Sequence, residues 1–484
     1  MASKAVCIHG HFYQPPREDP ITGEIAREEG AAPYLNWNEK ILQQCYRPNA
    51  ELGNFERISF NIGPTLINWL LSYDSATLSK IINQERSAYI KNGVGNGMAM
   101  AYNHTILPLA RPHDKRTQIK WGVEDFRYRF GHAPQGMWLP EAAVDMETLE
   151  MLADEDIQFT ILAPWQAAEY DVDCSKPYNV ALKNDRKIAV FFYQEELSMR
   201  VSFDPGATSN GDSFIKNYIR PQFNLNGRSD QDELYIIASD GELYGHHQTF
   251  RDKFLSYITQ ADNGEISFTY PALWLKQHPP KEYVKIRDNT SWSCHHGVAR
   301  WKEACPCGPN GDWKNRLYAA MHTLADAIDR EYIRLASPYI QDPWQLLYRY
   351  IDVLHGERSV REWLAAQCDS RPDAEALTVL ERILRAQLNK QKMFTSCGWF
   401  FDDFDRIEPR IIVTATAHAI WWLKLAGGED LIPQATQLLA QVRSWRTSLH
   451  GDSLFLQQIN RLRYEQLPLP FTQLEANLSE GLTA

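Results

Sequence analysis

Three short segments gather acids, histidines and aromatics where a strand pattern ends. They are His9-Gly10-His11-Phe12-Tyr13-Gln14-Pro15-Pro16, Gly136-Met137-Trp138-Leu139-Pro140-Glu141 and Ser239-Asp240-Gly241-Glu242-Leu243-Tyr244-Gly245-His246. Glu141 and Asp240 are far apart in the chain, yet each directly follows an apolar β run. Polar groups collected at strand C-termini are how an α/β barrel builds an active site. Two carboxylates so placed suit acid/base or nucleophilic work on a sugar; of Asp240 and Glu242, one could be a general acid with a raised pKa and the other an orienting partner. Each acid also has a structural alternative. Glu141 could open the helix that Asp145 and Glu147 begin, and Asp240 and Glu242 could cap a helix starting at Thr249.

His9, His11, His104, His246 and His247 all stand near strand ends, where they could hold sugar hydroxyls or ligate a metal. His9-x-His11 and His246-His247 lack the usual metal spacing, so no metal is expected among them. Trp292 and Trp301 could flank a sugar-binding groove. The stretch Ser291-Trp292-Ser293-Cys294-His295-His296-Gly297-Val298-Ala299-Arg300-Trp301 and the following Cys305-Pro306-Cys307-Gly308 read as a substrate-binding loop. A zinc site from Cys294, His295, Cys305 and Cys307, or a redox pair among the cysteines, is the alternative.

The elements that must position these groups alternate strand and helix through the first half. Strands are expected at Ala5–Ile8, Arg57–Ile62, Gly97–Ala101, Gln135–Leu139, Gln158–Leu162, Ile188–Tyr193 and Leu234–Ser239. Helices are expected from Leu66 to Ile82, Asp114 to Phe130, Met146 to Ala153 and Thr249 to Gln260. This is an α/β pattern. An incomplete (β/α)7 barrel fits better than an open sheet, because candidate residues follow at least four different strands. Beyond residue 275 the periodicity becomes helical, over Trp313–Leu335, Pro343–Leu354, Ala374–Asn389, Pro409–Leu425 and Leu431–Leu449. The expected division is a catalytic barrel over 1–275, a substrate-binding connection over 276–312, an α-helical domain over 313–466 and a loose tail over 467–484.

Composition narrows the function class. The 484 residues are 44% hydrophobic and 23% charged, so a large core is available. A net charge of −11 argues against nucleic acid or an anionic membrane and favours a neutral substrate. The N-terminus has no secretory h-region and no apolar run reaches membrane-spanning length. Eight cysteines in a chain this long do not make a disulfide framework, so a cytoplasmic location with reduced thiols is expected. Neither a phosphate-binding P-loop, a dinucleotide fingerprint nor a Gly-x-Ser-x-Gly elbow is present, and no cofactor is expected. Oligomeric state is left open.

The same segments resemble, in order, the conserved regions of glycoside hydrolase family 57, particularly its subgroup with a DUF3536-type C-terminal region. His11-Phe12-Tyr13-Gln14-Pro15 resembles the first region. Tyr102-Asn103-His104-Thr105-Ile106-Leu107-Pro108-Leu109 resembles the second, and the Glu141 string the third. The Asp240 string resembles the fourth, and Trp292 to Trp301 falls where the fifth, aromatic region should lie. The resemblance implies an incomplete (β/α)7 barrel with a helical domain, and retaining, amylase-like chemistry on α-1,4-glucans such as glycogen, starch or maltodextrin. It implies Glu141 as nucleophile, Asp240 as acid/base, His11, His104 and His246 on hydroxyls, Trp138, Trp292 and Trp301 as candidate sugar platforms, and Gln14 as a polar contact. There are three departures. Phe12-Tyr13 interrupts the His-Gln-Pro string, so His9 or His11 could be the matching histidine. Gly241 replaces the usual alanine, and His247 stands where tryptophan is common. They bear on substrate and on hydrolysis against transfer. The alternatives are a 4-α-glucanotransferase or branching enzyme on the same site, an α-glucan-binding or regulatory protein, and a metal-dependent deacetylase or mannosidase-like enzyme.

Overall fold

The computed structural model describes residues 3–225, 231–356, 358–369 and 371–464. The tail expected over 467–484 lies outside them. The described residues form two units. The first comprises 3–14, Glu24–Tyr102 and Gly122–Ser293; the second comprises Pro15–Gly23, Asn103–Trp121 and the described residues from Cys294 onward.

The first unit is built on strands β1 (Lys4–Phe12), β2 (Ser59–Ile62), β3 (Gly97–Met100), β4 (Met137–Trp138), β5 (Phe159–Leu162), β6 (Tyr178–Ala181), β7 (Lys187–Phe192), β8 (Glu233–Asp240) and β9 (Ile266–Phe268). Strands β8, β1, β2, β3 and β4 run side by side and parallel, and β5 pairs with β7 in the same sense. Two single contacts join these sheets into a ring. Gln158 N donates to Gln135 O beside a Gly136–Phe159 bridge, and Gln194 N donates to Ile236 O at 2.7 Å. Seven parallel strands, as expected from the sequence, therefore make an incomplete (β/α)7 barrel among the described residues. The chemistry of the strands explains why. Ala5, Val6, Cys7 and Ile8 in β1, and Leu234, Tyr235, Ile236 and Ile237 in β8, are continuous apolar runs. Burial on both faces is the condition of a parallel sheet.

Two strands were not expected. β6 pairs antiparallel with β7 through a tight turn in which Asn184 and Asp185 both take left-handed backbone angles, φ 58° and 56°. β9 adds to the start of β1. The single helix expected from Leu66 to Ile82 is two helices, Pro64–Tyr73 and Ser75–Asn92. Asp74 separates them, and its side chain caps the second by accepting from Thr77 N at 3.1 Å.

The second unit is helical. The helix Ile407–Leu425 packs against Ala374–Lys392, Asp312–Ala336 and Gly451–Tyr464. The helix expected over Leu431–Leu449 stops at Leu439. The chain then turns through an Arg443–His450 bridge into the helix Gly451–Tyr464. A Cβ on Gly451 would lie 2.8 Å from Leu439 O, so this reversal needs glycine. One polar cluster lies inside the unit. Lys390 Nζ, with a fully buried side chain, donates to Asp114 at 2.7 Å and to Asp329 at 2.6 Å, and His113 Nε2 meets Asp329 at 2.8 Å. The carboxylates hold the Lys390 ammonium above its ordinary range after burial is overcome, and Lys390 leads the groups that hold Asp329 low. No described helix is long and apolar enough to cross a membrane.

Candidate active site

Register places the first layer of the site. His11 on β1 stands opposite Asn61 on β2 and Asp240 on β8, while His9 stands opposite Ser59 and Ala238. His9 and His11 are two residues apart on a strand, so their side chains share a face. Ser59 and Asn61 repeat that alternation on β2. His9 Nε2–H donates to Asn61 Oδ1 at 3.2 Å, and Ser59 Oγ–H donates to His9 Nδ1 at 2.9 Å. Asn61 Nδ2 in turn donates to His11 Nδ1 at 2.9 Å. Asn61 Oδ1 also lies 3.2 Å from His11 Nδ1, so the one Asn61 amide faces both histidines. Burial depresses both histidines, His9 to about 3 and His11 to about 4, so both rings are uncharged at neutral pH.

Trp138, at the end of β4, is fully buried and stacks on His9 at 4.6 Å and on His11 at 5.5 Å between ring centres. Trp292 stands edge-on to Trp138 at 5.0 Å. Trp138 is thus a support beneath the histidines.

Three residues past Trp138 the chain bends sharply. Glu141 and Ala142 both adopt left-handed backbone angles, φ 57° and 47°. Each such residue without glycine costs roughly 1–3 kcal/mol, and such strain persists where surrounding bonds enforce it. Here Ala142 N donates to Leu139 O, Ala143 N to Pro140 O, and Gln166 Nε2 to Ala142 O. A strap of residues 285–292 fastens the outside: Asn289 N donates to Val144 O, Val144 N to Thr290 O, and Trp292 N to Glu141 O at 2.9 Å. The end of the strap and the residue after it deliver two donors to one oxygen. Trp292 Nε1 reaches Glu141 Oε2 at 3.0 Å and Ser293 Oγ reaches it at 2.7 Å. The helix after this turn is capped by Asp145, which accepts from Thr148 N, so Glu141 is not its cap.

Asp240 ends β8, followed by a short turn over Gly241–Leu243. The next helix, Arg251–Gln260, starts at Phe250 without a side-chain cap, so neither Asp240 nor Glu242 serves it. Solvent reaches the Asp240 side chain, yet protein surrounds it closely enough that desolvation leads the forces on it. That burial, then the charges of Glu242 and Glu141, push its carboxyl up to about 8. Among the described residues no donor offsets them. Asp240 and Glu141 therefore act on one another electrostatically, and Asp240 is largely protonated at neutral pH.

Glu242 is buried and has the opposite surroundings. Its Oε1 accepts from Tyr46 Oη at 2.7 Å and from Tyr13 N at 3.2 Å, and the Gln14 side chain also bonds it. Burial still raises it to about 7, against those donors. His246 Nδ1 lies 2.7 Å from Gln44 Oε1, which makes Nδ1 the donor and leaves Nε2 as the acceptor. Desolvation takes His246 down to about 4, and His247 beside it is exposed.

Phe12 ties two sequence departures together. A Cβ on Gly241 would lie 2.5 Å from the Phe12 ring, and a Cβ on Gly10 would lie 2.7 Å from it. The ring fills the space between the two glycines, so Phe12 and Gly241 are one packing solution. Gly245 has a different reason: its φ is 138° and a Cβ would meet Gln44 O at 2.2 Å.

His9, His11, Gln14, Trp138, Glu141, Asp240, Glu242, His246 and Trp292 thus belong to the first unit. His104 and Trp301 belong to the second. His104 has a left-handed backbone, φ 55°, its Nδ1 bonds Ser396 Oγ, and its carbonyl accepts from Ser396 N. Trp301 is buried beside Thr105, Ile106, Tyr318, Phe394 and Trp399 around a small apolar pocket. Four residues escaped the sequence reading: Ser59, Asn61, Tyr46 and Ser293. The polar Ser59-x-Asn61 alternation inside a buried strand was a usable signal for the first two. Tyr46 and Ser293 gave none.

Comparison with known proteins agrees with this geometry. Residues 310–467 match a domain of unknown function, DUF3536, and no curated protein matches the chain. Among solved structures, an exo-type maltose-forming amylase from Pyrococcus sp. ST04 superposes with a TM-score of 0.71 at 15% identity, covering 95% of this chain and 88% of that one. A branching enzyme from Thermococcus kodakaraensis gives 0.62 at 13% identity, with 94% and 96% covered. A 4-α-glucanotransferase from Thermococcus litoralis gives 0.55 at 15% identity, with 87% and 60% covered. Identities this low speak to fold alone, but the sequence pattern of glycosyl hydrolase family 57 matches residues 11–287, more than half of the chain. With its barrel strands and their C-terminal acids lying within that match, the chain belongs to glycosyl hydrolase family 57.

Proposed function

We propose that this enzyme cleaves α-1,4-glucans with retention by double displacement. The carrying observation is that Glu141, its Oε2 held by Trp292 Nε1 and Ser293 Oγ, and Asp240, at the end of another strand, act on one another's charge, burial and then the charges of Glu242 and Glu141 lifting the Asp240 carboxyl to about 8. Glu141 attacks the anomeric carbon while Asp240 gives its proton to the departing glycosidic oxygen. The products of that step are a glycosyl ester on Glu141, a freed chain end and an ionised Asp240. Esterification removes the Glu141 charge, one of the forces that raise Asp240, so Asp240 becomes less basic as its proton is spent. It then takes a proton from the acceptor hydroxyl as that oxygen displaces Glu141. The carboxylates are expected about 5–5.5 Å apart, the separation for retention.

The surrounding groups have distinct parts in this scheme. Trp292 Nε1 and Ser293 Oγ fix the orientation of the Glu141 carboxylate. His11 and His246 hold sugar hydroxyls, His246 through its Nε2 lone pair. His9 is a positioning residue, because both of its nitrogens are already bonded to Ser59 and Asn61. His11 is the histidine we assign to substrate, because it stands opposite Asp240 in the strand register. Trp138 supports the rings from below. The substrate-binding roles that the family resemblance implies for His104 and Trp301, in the second unit, rest on that resemblance alone.

Names of the similar structures span hydrolysis, branching and glucan transfer, which supports an α-glucan substrate and leaves the acceptor to experiment. An amylase-like hydrolase is our reading. Purified protein given amylose, with reducing ends and branch points assayed separately, tests it. New reducing ends without branch points support hydrolysis; branch points or disproportionated chains replace it by transfer. Glu141→Gln should abolish either activity, and unimpaired turnover would remove Glu141 from its role. Eight cysteines spread over so long a chain support a reducing, cytoplasmic compartment.

A further inference from the structure

The loop after Ser293 brings together four side chains that the glycosidic site does not use. The Cys294 sulfur lies 3.6 Å from that of Cys305 and 3.7 Å from that of Cys307. His296 Nδ1 lies 3.3 Å from the Cys307 sulfur and 3.4 Å from the Cys305 sulfur. The four donor atoms all fall within 4.8 Å of one another. We propose that Cys294, His296, Cys305 and Cys307 bind one structural zinc ion.

The distances carry the assignment. A tetrahedral zinc with Zn–S of about 2.3 Å and Zn–N of about 2.0–2.1 Å sets its sulfurs roughly 3.8 Å apart and its sulfur and nitrogen roughly 3.5 Å apart. The observed separations match that tetrahedron closely. Three thiolates and one imidazole are a closed structural set with no position for a reacting water. Each pair of ligands sits at a tight turn: Gly297 N donates to Cys294 O, and Gly308 N donates to Cys305 O, both at 3.1 Å. Zinc with three thiolates has a net charge of −1. Arg300 bonds the Cys307 sulfur, and Lys314 lies in the field of Cys294 and Cys305, so cations balance that charge. The geometry selects His296 where the sequence reading had chosen His295.

The second cluster of possible ligands, His113, Asp114 and Asp329, does not compete for this role, because the Lys390 ammonium already lies between its carboxylates. The zinc would instead anchor the chain one residue beyond Ser293, whose hydroxyl bonds Glu141.

Metal content of the full chain, purified without chelator, tests this. About one zinc per chain is expected, released as the thiols are titrated with a mercurial. Cobalt put in place of zinc should give the intense visible bands of a tetrahedral thiolate site. Cys305→Ser should lower zinc content roughly tenfold or more. His296→Ala, an exposed position, serves as the second variant; it should shift the cobalt spectrum and weaken retention against chelator even if Cys305→Ser fails to fold. A native protein with no bound metal and three freely titrating thiols would overturn the proposal. So would a disulfide among these cysteines, or a cobalt spectrum unchanged in His296→Ala.

Discussion

Replacing Glu242 by glutamine should move the alkaline limb of the pH–rate profile toward acid. Asp240 serves as the acid only while protonated, so its contribution is full below its pKa and is lost as pH rises through it. Three causes raise that carboxyl from 3.8 to about 8: burial first, then Glu242, then Glu141. Glu242 is the larger of the two charges that raise it, and a neighbouring like charge typically shifts a carboxyl by about one unit. Glutamine removes the charge while keeping size and an oxygen to accept from Tyr13 N. Burial and Glu141 remain, so the limb should fall from near 8 to near 7. The assay is kcat/KM on a soluble maltooligosaccharide between pH 5 and 10, which reports the free enzyme. Because Asp240 and Glu242 interact, the wild-type limb belongs to the pair and should be broader than the single step of the variant. An alkaline limb that stays in place, or moves upward, would refute the claim that Glu242 holds the Asp240 proton on.

Two stability predictions follow from packing and buried charge. Gly241→Ala should destabilise the protein by about 1–3 kcal/mol, because its Cβ meets the Phe12 ring at 2.5 Å; denaturant unfolding measures it, and Phe12→Leu should recover much of the loss in the double variant. Lys390→Met should cost about 3–5 kcal/mol by leaving Asp114 and Asp329 buried without their cation, and an unchanged unfolding midpoint would show that the cluster carries no such charge.

Most of the barrel strands were legible because they are apolar runs, several of them closed by a polar residue, as in Leu234 to Asp240. β6 was not, because its Tyr178-Asn179-Val180-Ala181 is short and pairs at an edge, and its turn depends on Asn184 and Asp185 taking left-handed angles. The break at Asp74 hid within a continuous helical period, although an acid three residues before Thr77 is a capping pattern. Within the site, the acids and histidines announced themselves by type and position. Tyr46 and Ser293 did not, because long-range folding alone brings them to Glu242 and Glu141. The same holds for the choice of His296 over His295. Adjacent histidines look alike in sequence, and only the turn at Gly297 decides which one faces the thiols.

The most direct measurement is covalent trapping. A fluorinated α-glucosyl fluoride, which forms the glycosyl enzyme faster than it is released, should add one sugar per chain. Mass spectrometry of the digested protein should find that sugar esterified to Glu141, and Glu141→Gln should show none. A sugar attached to another carboxylate, or turnover that yields the inverted anomer with no trapped ester, would contradict the account.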